Sequence, residues 1–151
     1  MVRRPVVLGT LLTALLSLAC STGPDASDLP SPAAGIGDLT DRMATRFELP
    51  TPVASQAVGG LLGVANSRLP TNTWTTLAGG IPGAADLLRE TRGSLPEGAS
   101  LRTLEDVDEM LGSEANVNSA QLSEMGSLME SYLGQAADSE AMRTQIRNIF
   151  P

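Results

Sequence analysis

The sequence predicts an all-α domain, a compact bundle of six or seven short helices behind a signal peptide and a flexible tether. Three observations carry this. Apolar residues recur at three- and four-residue steps, most regularly at Ala54, Ala57, Val58, Leu61, Leu62, Ala65 and Leu69. Prolines and glycines fall between such runs, at Pro50, Pro70, Gly79 and Gly80. No segment alternates apolar and polar residues with a period of two, and no hairpin signal is present.

The elements follow in order. Ile36, Leu39, Met43 and Phe47 lie on one helical face, and Pro50 and Pro52 stop that helix. Thr51 is the expected cap of the next helix, with Pro52 at its first position. That helix carries the strong stripe and closes at Pro70. A short helix from Thr71 to Ala78 bears Trp74 and Leu77, and Gly79 and Gly80 end it. Pro82 opens a helix to about Arg92, with Ala85 and Leu88 inward, and residues 93–99 read as a loop. Thr103 with Asp106 suggests a cap for a helix through Leu111, with Leu104, Val107 and Leu111 inward. Asn118 with Gln121 matches the capping-box pattern. It precedes a helix of Leu122, Met125, Met129, Tyr132, Leu133 and Ala136. Asp138 is the expected cap of a last helix, striped by Met142, Ile146, Ile149 and Phe150.

Ahead of the bundle, Arg3 and Arg4 precede an uncharged run, Val6 to Ala19, and then Cys20. This is the order of a positive n-region and an apolar h-region. At ~1.5 Å per residue the run is short for a hydrocarbon core of ~30 Å, which favours a signal over a permanent span. Leu16, Ser17, Leu18, Ala19 and Cys20 resemble the lipobox of bacterial lipoproteins, with Ser17 where Leu is usual. The resemblance implies a diacylglyceryl group on the Cys20 thiol, cleavage before it, and further acylation of palmitate type on the new amine. Cys20 is the single cysteine of the chain; an unmodified thiol in an oxidising compartment would invite intermolecular pairing. Several acyl chains at ~0.8 kcal/mol per CH₂ would hold durably. Ser21, in place of Asp, resembles the outer-membrane pattern of Gram-negative lipoproteins.

The expected organisation is therefore a signal peptide at 1–19, a flexible tether with lipidated Cys20 at 20–35, and a helical domain at 36–151. The tether is rich in Ser, Pro, Gly, Asp and Ala, too polar to offset its ordering entropy. The expected location is the cell envelope, lipid-anchored, facing the periplasm from the outer membrane in a Gram-negative host.

The 151 residues carry 10 basic and 17 acidic side chains, net −7. Removing residues 1–19 takes away Arg3 and Arg4 and no acid, leaving 8 against 17, or −9. Such a surface repels phosphate backbones and anionic lipid, which excludes nucleic acid as the expected partner. Aromatic residues make up 3%, so the core must be built from Leu, Ala, Val, Ile and Met.

With no His there is no Ser-His-Asp or Cys-His arrangement, and with one Cys there is no thiolate zinc site. No Lys is present to form a Schiff base or reach a phosphate. No G-x-S-x-G occurs. The expectation is no enzyme, no metal and no cofactor. Glu105, Asp106, Asp108 and Glu109 form the densest acidic run, but Met110 and Leu111 break the calcium-loop pattern, so a solvated helix face is expected. Gly59 and Gly63 form a small-xxx-small pair, read as close helix packing in a soluble bundle. Met43, Met110, Met125, Met129 and Met142 read as core filling, and Trp74 as a core anchor.

Residues 56–65 (Gln-Ala-Val-Gly-Gly-Leu-Leu-Gly-Val-Ala) and 81–88 (Ile-Pro-Gly-Ala-Ala-Asp-Leu-Leu) are similar to the bacterial VcgC/VcgE-like family of unknown function. Tyr132-Leu133-Gly134 and the stripe from Ile146 to Phe150 resemble that family's ending. The resemblance covers about residues 38–150, with the acidic segment 93–116 as an insertion. It implies a fold and no chemistry.

Three functional expectations follow. The first is a non-catalytic envelope lipoprotein whose helical domain binds or scaffolds, its partner being an envelope protein. The second is a helical carrier of a small apolar ligand such as a fatty acid or lipid, in a core loosened by Gly, Ala and Met. The third is a carboxylate-dependent hydrolase, which needs two carboxylates across a buried cleft.

Overall fold

The fold is built around one helix that is buried on every side. A computed structural model describes residues 29–112 and 115–150. Among the described residues there are seven α-helices and no strand: α1 (Ile36–Arg46), α2 (Thr51–Arg68), α3 (Thr71–Gly80), α4 (Ala84–Ser94), α5 (Leu104–Leu111), α6 (Ser119–Ala136) and α7 (Glu140–Ile146). The expected all-α bundle is what forms.

The stripe read along α2 is buried, but so are Gly59, Gly60, Gly63 and Val64 on its other sides. The glycines explain why. Where they lack side chains, neighbours close in. A Cβ at Gly59 would overlap Thr91 of α4. One at Gly60 would lie 2.9 Å from Val107 Cγ1 of α5, and one at Gly63 2.6 Å from Leu101 Cδ1. The small-xxx-small pair thus admits α4 and the segment before α5 against the backbone of α2, while α1 covers another side. Among the described residues no helix is long and apolar enough to cross a membrane.

The second long helix, α6, closes the core with Leu122, Met125, Leu128, Met129, Tyr132 and Leu133. Leu39, Leu61, Leu62, Leu77, Ile81 and Ile146 meet in the same continuous cluster. Each such side chain contributes about 1.5–3 kcal/mol through burial. Two of the buried threonines are paired, one locally and one across helices. Thr40 Oγ1 donates to the Ile36 carbonyl at 2.9 Å, and Thr73 Oγ1 donates to Gln145 Oε1 at 2.9 Å, tying α3 to the end of α7.

Several boundaries move from their expected places. Pro50, not Thr51, occupies the cap of α2, so Thr51 and Pro52 already lie in the first turn. Ser139, not Asp138, caps α7, its hydroxyl accepting from Met142 N–H at 3.2 Å. In α4 the inward alanine is Ala84 and Ala85 is exposed, because the chain turns through Gly83 at φ 82° before the helix begins. The glycines expected to end α3 are its last two residues, and α4 continues through Gly93 to Ser94.

Residues 29–35, expected as the end of the tether, are packed on the bundle. Leu29 packs on the core and Pro30 is buried. Pro32–Ala34 form a 3₁₀ turn against α6. Gly35, at φ 94°, passes so close to Pro82 that a Cβ would lie 2.9 Å from its carbonyl oxygen. The Ile36 N–H donates to that same carbonyl at 3.0 Å. This arm belongs to the fold, and composition alone concealed it.

Candidate binding clefts

Three depressions stand out on the surface of the described residues, and polarity is distributed unevenly among them. The first is a groove of about 420 Å³ between the arm, α1 and α6. Its apolar floor is Leu29, Leu39, Met43 and Leu128, and its rim is Asp41, Arg42, Thr45 and Arg46. The helical period places both sets: Leu39 and Met43 are one turn apart and face inward, while Arg42 and Arg46 are one turn apart and exposed. Arg46 reaches across to α6, its Nη2 lying 2.7 Å from Glu124 Oε1.

The second is a dent of about 280 Å³ among α2, α3 and α4, lined by Asn66, Trp74, Ala85, Leu88, Arg89 and Arg92. The third, about 550 Å³, lies under the loop after α4 and shares Asn66 and Arg92 with the dent. Trp74, expected as a core anchor, is half-buried with part of its ring on this surface. None of these depressions lies inside the core; the looseness expected from Gly and Ala is taken up by close helix approach.

The acidic run splits into two kinds of residue. Asp106 turns back to cap α5, accepting from the backbone N–H groups of Arg102 and Thr103, each at 2.8 Å. The Arg102 N–H bond is the main reason its carboxyl is held below the ordinary range; burial offsets part of this, and Thr103 adds to it. Glu105, Asp108 and Glu109 are exposed. Among the described residues no group of three or more His, Cys, Asp or Glu is placed to hold a metal ion. Glu130 on α6 is half-buried, and desolvation raises its pKa, opposed by the charge of Arg147.

Of the methionines, Met43, Met125 and Met129 are core residues, whereas Met110 and Met142 are half-buried against the core's edge. Cys20, with the signal and the first nine residues of the expected tether, lies outside the described residues. The sequence reading missed Asn66, Arg89 and Arg92 as a set, since they come together only once α2 and α4 pack. The available signal was the three-residue spacing of Arg89 and Arg92, which puts both on one helix face.

Comparison of the chain with protein-family models, with curated proteins and with solved structures finds no match.

Proposed function

We propose that this chain is a lipid-anchored envelope protein whose helical domain is a non-catalytic binding or scaffolding module. The observation that carries this reading is the run from Leu16 to Cys20, which ends in the single cysteine nine residues before Leu29 of the packed arm. Nine residues span at most about 30 Å, so the domain works close to its membrane. The absence of His and Lys from the whole chain removes the commonest nucleophilic, general-base and Schiff-base chemistries. The partner in this reading is an envelope protein, and the kinship with the VcgC/VcgE-like family is part of the same proposal.

Intact mass of the mature chain from its native membrane tests the anchor. A mass starting at Cys20 plus acyl groups is the expected result. An unmodified chain starting elsewhere overturns it. For the binding role, a pull-down from detergent-solubilised envelopes should enrich a partner above a Cys20→Ala control.

The groove at Leu29, Leu39, Met43 and Leu128 favours a second reading, a carrier of a small apolar ligand. Its apolar floor and arginine-bearing rim suit an acyl chain with a carboxylate head. Native mass spectrometry of chain purified from its own host should then show a retained fatty acid, and an empty chain removes this reading.

A further inference from the structure

The stretch 66–102 breaks the charge pattern of the molecule. It carries Arg68, Arg89, Arg92 and Arg102 against Asp86, Glu90 and Glu97, net +1 in a chain of net −7. Packing of α2, α3 and α4 gathers part of it around Trp74, in the dent that also takes Asn66, Leu88, Arg89 and Arg92. The dent adjoins the cleft along residues 95–102, which ends at Arg102, since Asn66 and Arg92 line both. Together they form one surface track with an aromatic end and a polar end.

The polar groups along this track are mostly hydrogen-bond donors, several of them open to solvent. Among the described residues the side chains of Asn66, Trp74 and Arg92 have no hydrogen-bond or ion-pair partner. Arg89 pairs with Asp86 at 2.7 Å, but both side chains are more than three-quarters exposed, at 77% and 78%. Such a pair is weak and easily exchanged. The dent has no carboxylate in its lining, and the longer cleft has Glu97 alone. Donors in excess, beside an indole face and the buried Leu88, call for an acceptor-bearing ligand that also carries an apolar group.

We propose that this track binds an acidic peptide segment of a partner protein. A carboxylate lies at Arg92 and Arg89, and a neighbouring apolar side chain lies against Trp74 and Leu88. The inference rests on the binding-module reading and names its partner's chemistry. Charge complementarity favours this occupant, because the arginines attract a few carboxylates locally. The strongly acidic remainder of the chain repels a long polyanion such as nucleic acid. The elongated track suits extended main chain, for which Asn66 and Ser100 supply donors and acceptors, and Ser67, whose hydroxyl donates to the Val64 carbonyl, supplies an acceptor.

Trp74 is the single tryptophan, so its emission reports on this site alone. The full chain is titrated at low ionic strength with an acetylated, amidated peptide alternating Glu and Leu. The expected result is a saturable change in Trp74 emission that weakens as salt is added. Arg92→Gln should weaken binding by about tenfold or more, as arginine anchors do, while its thermal melt matches the parent's. The matching Lys-Leu peptide should give no saturable response. The proposal is overturned by no response to the Glu-Leu peptide, by an equal response to Lys-Leu, or by unchanged binding in Arg92→Gln. Free glutamate binding as tightly as the peptide also overturns it, leaving a small-carboxylate site. A partner captured from envelopes equally by parent and Arg92→Gln refutes the track and leaves the binding module standing. Failure to capture any partner above the Cys20→Ala control counts against the module itself, and so separates the two failures.

Discussion

Tyr132 shows most directly what a single side chain costs this fold. Its ring is fully buried in the centre of the core, and among the described residues its hydroxyl has no hydrogen-bond partner. A buried hydroxyl left unpaired costs about 1–3 kcal/mol. Phenylalanine keeps the ring and removes that group. Tyr132→Phe is therefore expected to match the parent or exceed its stability by about 1 kcal/mol in urea unfolding, and a loss of that size would contradict this account. Burial, with the charge of Asp38 as the lesser cause, pushes the phenol up to about 12. A pKa raised by folding gives stability that is complete below the unfolded value of about 10 and fades as pH rises through 12. That alkaline fade should be absent from Tyr132→Phe. The helical period placed Tyr132 on the inner face of α6, but the fate of its oxygen depends on neighbours from other helices and was invisible in sequence.

At the scale of elements, the caps decide where helices start. Thr103 and Asp106 satisfy each other's backbone N–H groups at the start of α5, and Asn118 and Gln121 do the same for α6. Asp106→Ala should cost about 1 kcal/mol at neutral pH, the usual worth of a lost cap. Because folding lowers this carboxyl's pKa, its contribution is present above the ordinary value of 3.8 and is lost as pH falls through the lowered one. Urea midpoints of parent and variant should therefore converge in acid. Both boxes were legible because each is a local pattern of two side chains three residues apart. Elsewhere the reading slipped by a residue, at Pro50 and Ser139, where two adjacent residues were both good candidates. The burial of α2 on all sides was not legible. Its glycines say only that something can approach; Thr91, Val107 and Leu101, up to 47 positions away in the chain, say what does.

For the whole molecule, the working unit includes the packed arm from Leu29 onward. A chain beginning at Ile36, where composition places the boundary, loses the packing of Leu29 and Pro30 and bares the groove against α1 and α6. It should be less stable than one beginning at Leu29 by about 1–3 kcal/mol, on the scale of one or two buried apolar side chains, as read from denaturant midpoints. Equal stabilities would show that the arm is only laid on the surface. The candidate clefts follow the same logic as the arm. Their residues come from three or more segments each, so no local pattern could have assembled them. Only the overall charge was legible in advance, and it pointed away from the stretch 66–102, where arginines outnumber acids by one.

The way the arm meets the bundle also sets how the molecule bears load. Tension applied through the N-terminus reaches the bundle at the Ile36–Pro82 hydrogen bond, after the 3₁₀ turn and the packed Leu29. These contacts lie in series along the chain, so pulling peels them one after another. None of them touches the glycine-lined seam between α2 and α4. The arm is therefore expected to act as a mechanical fuse, giving way before the seam in single-molecule pulling from the N-terminal side.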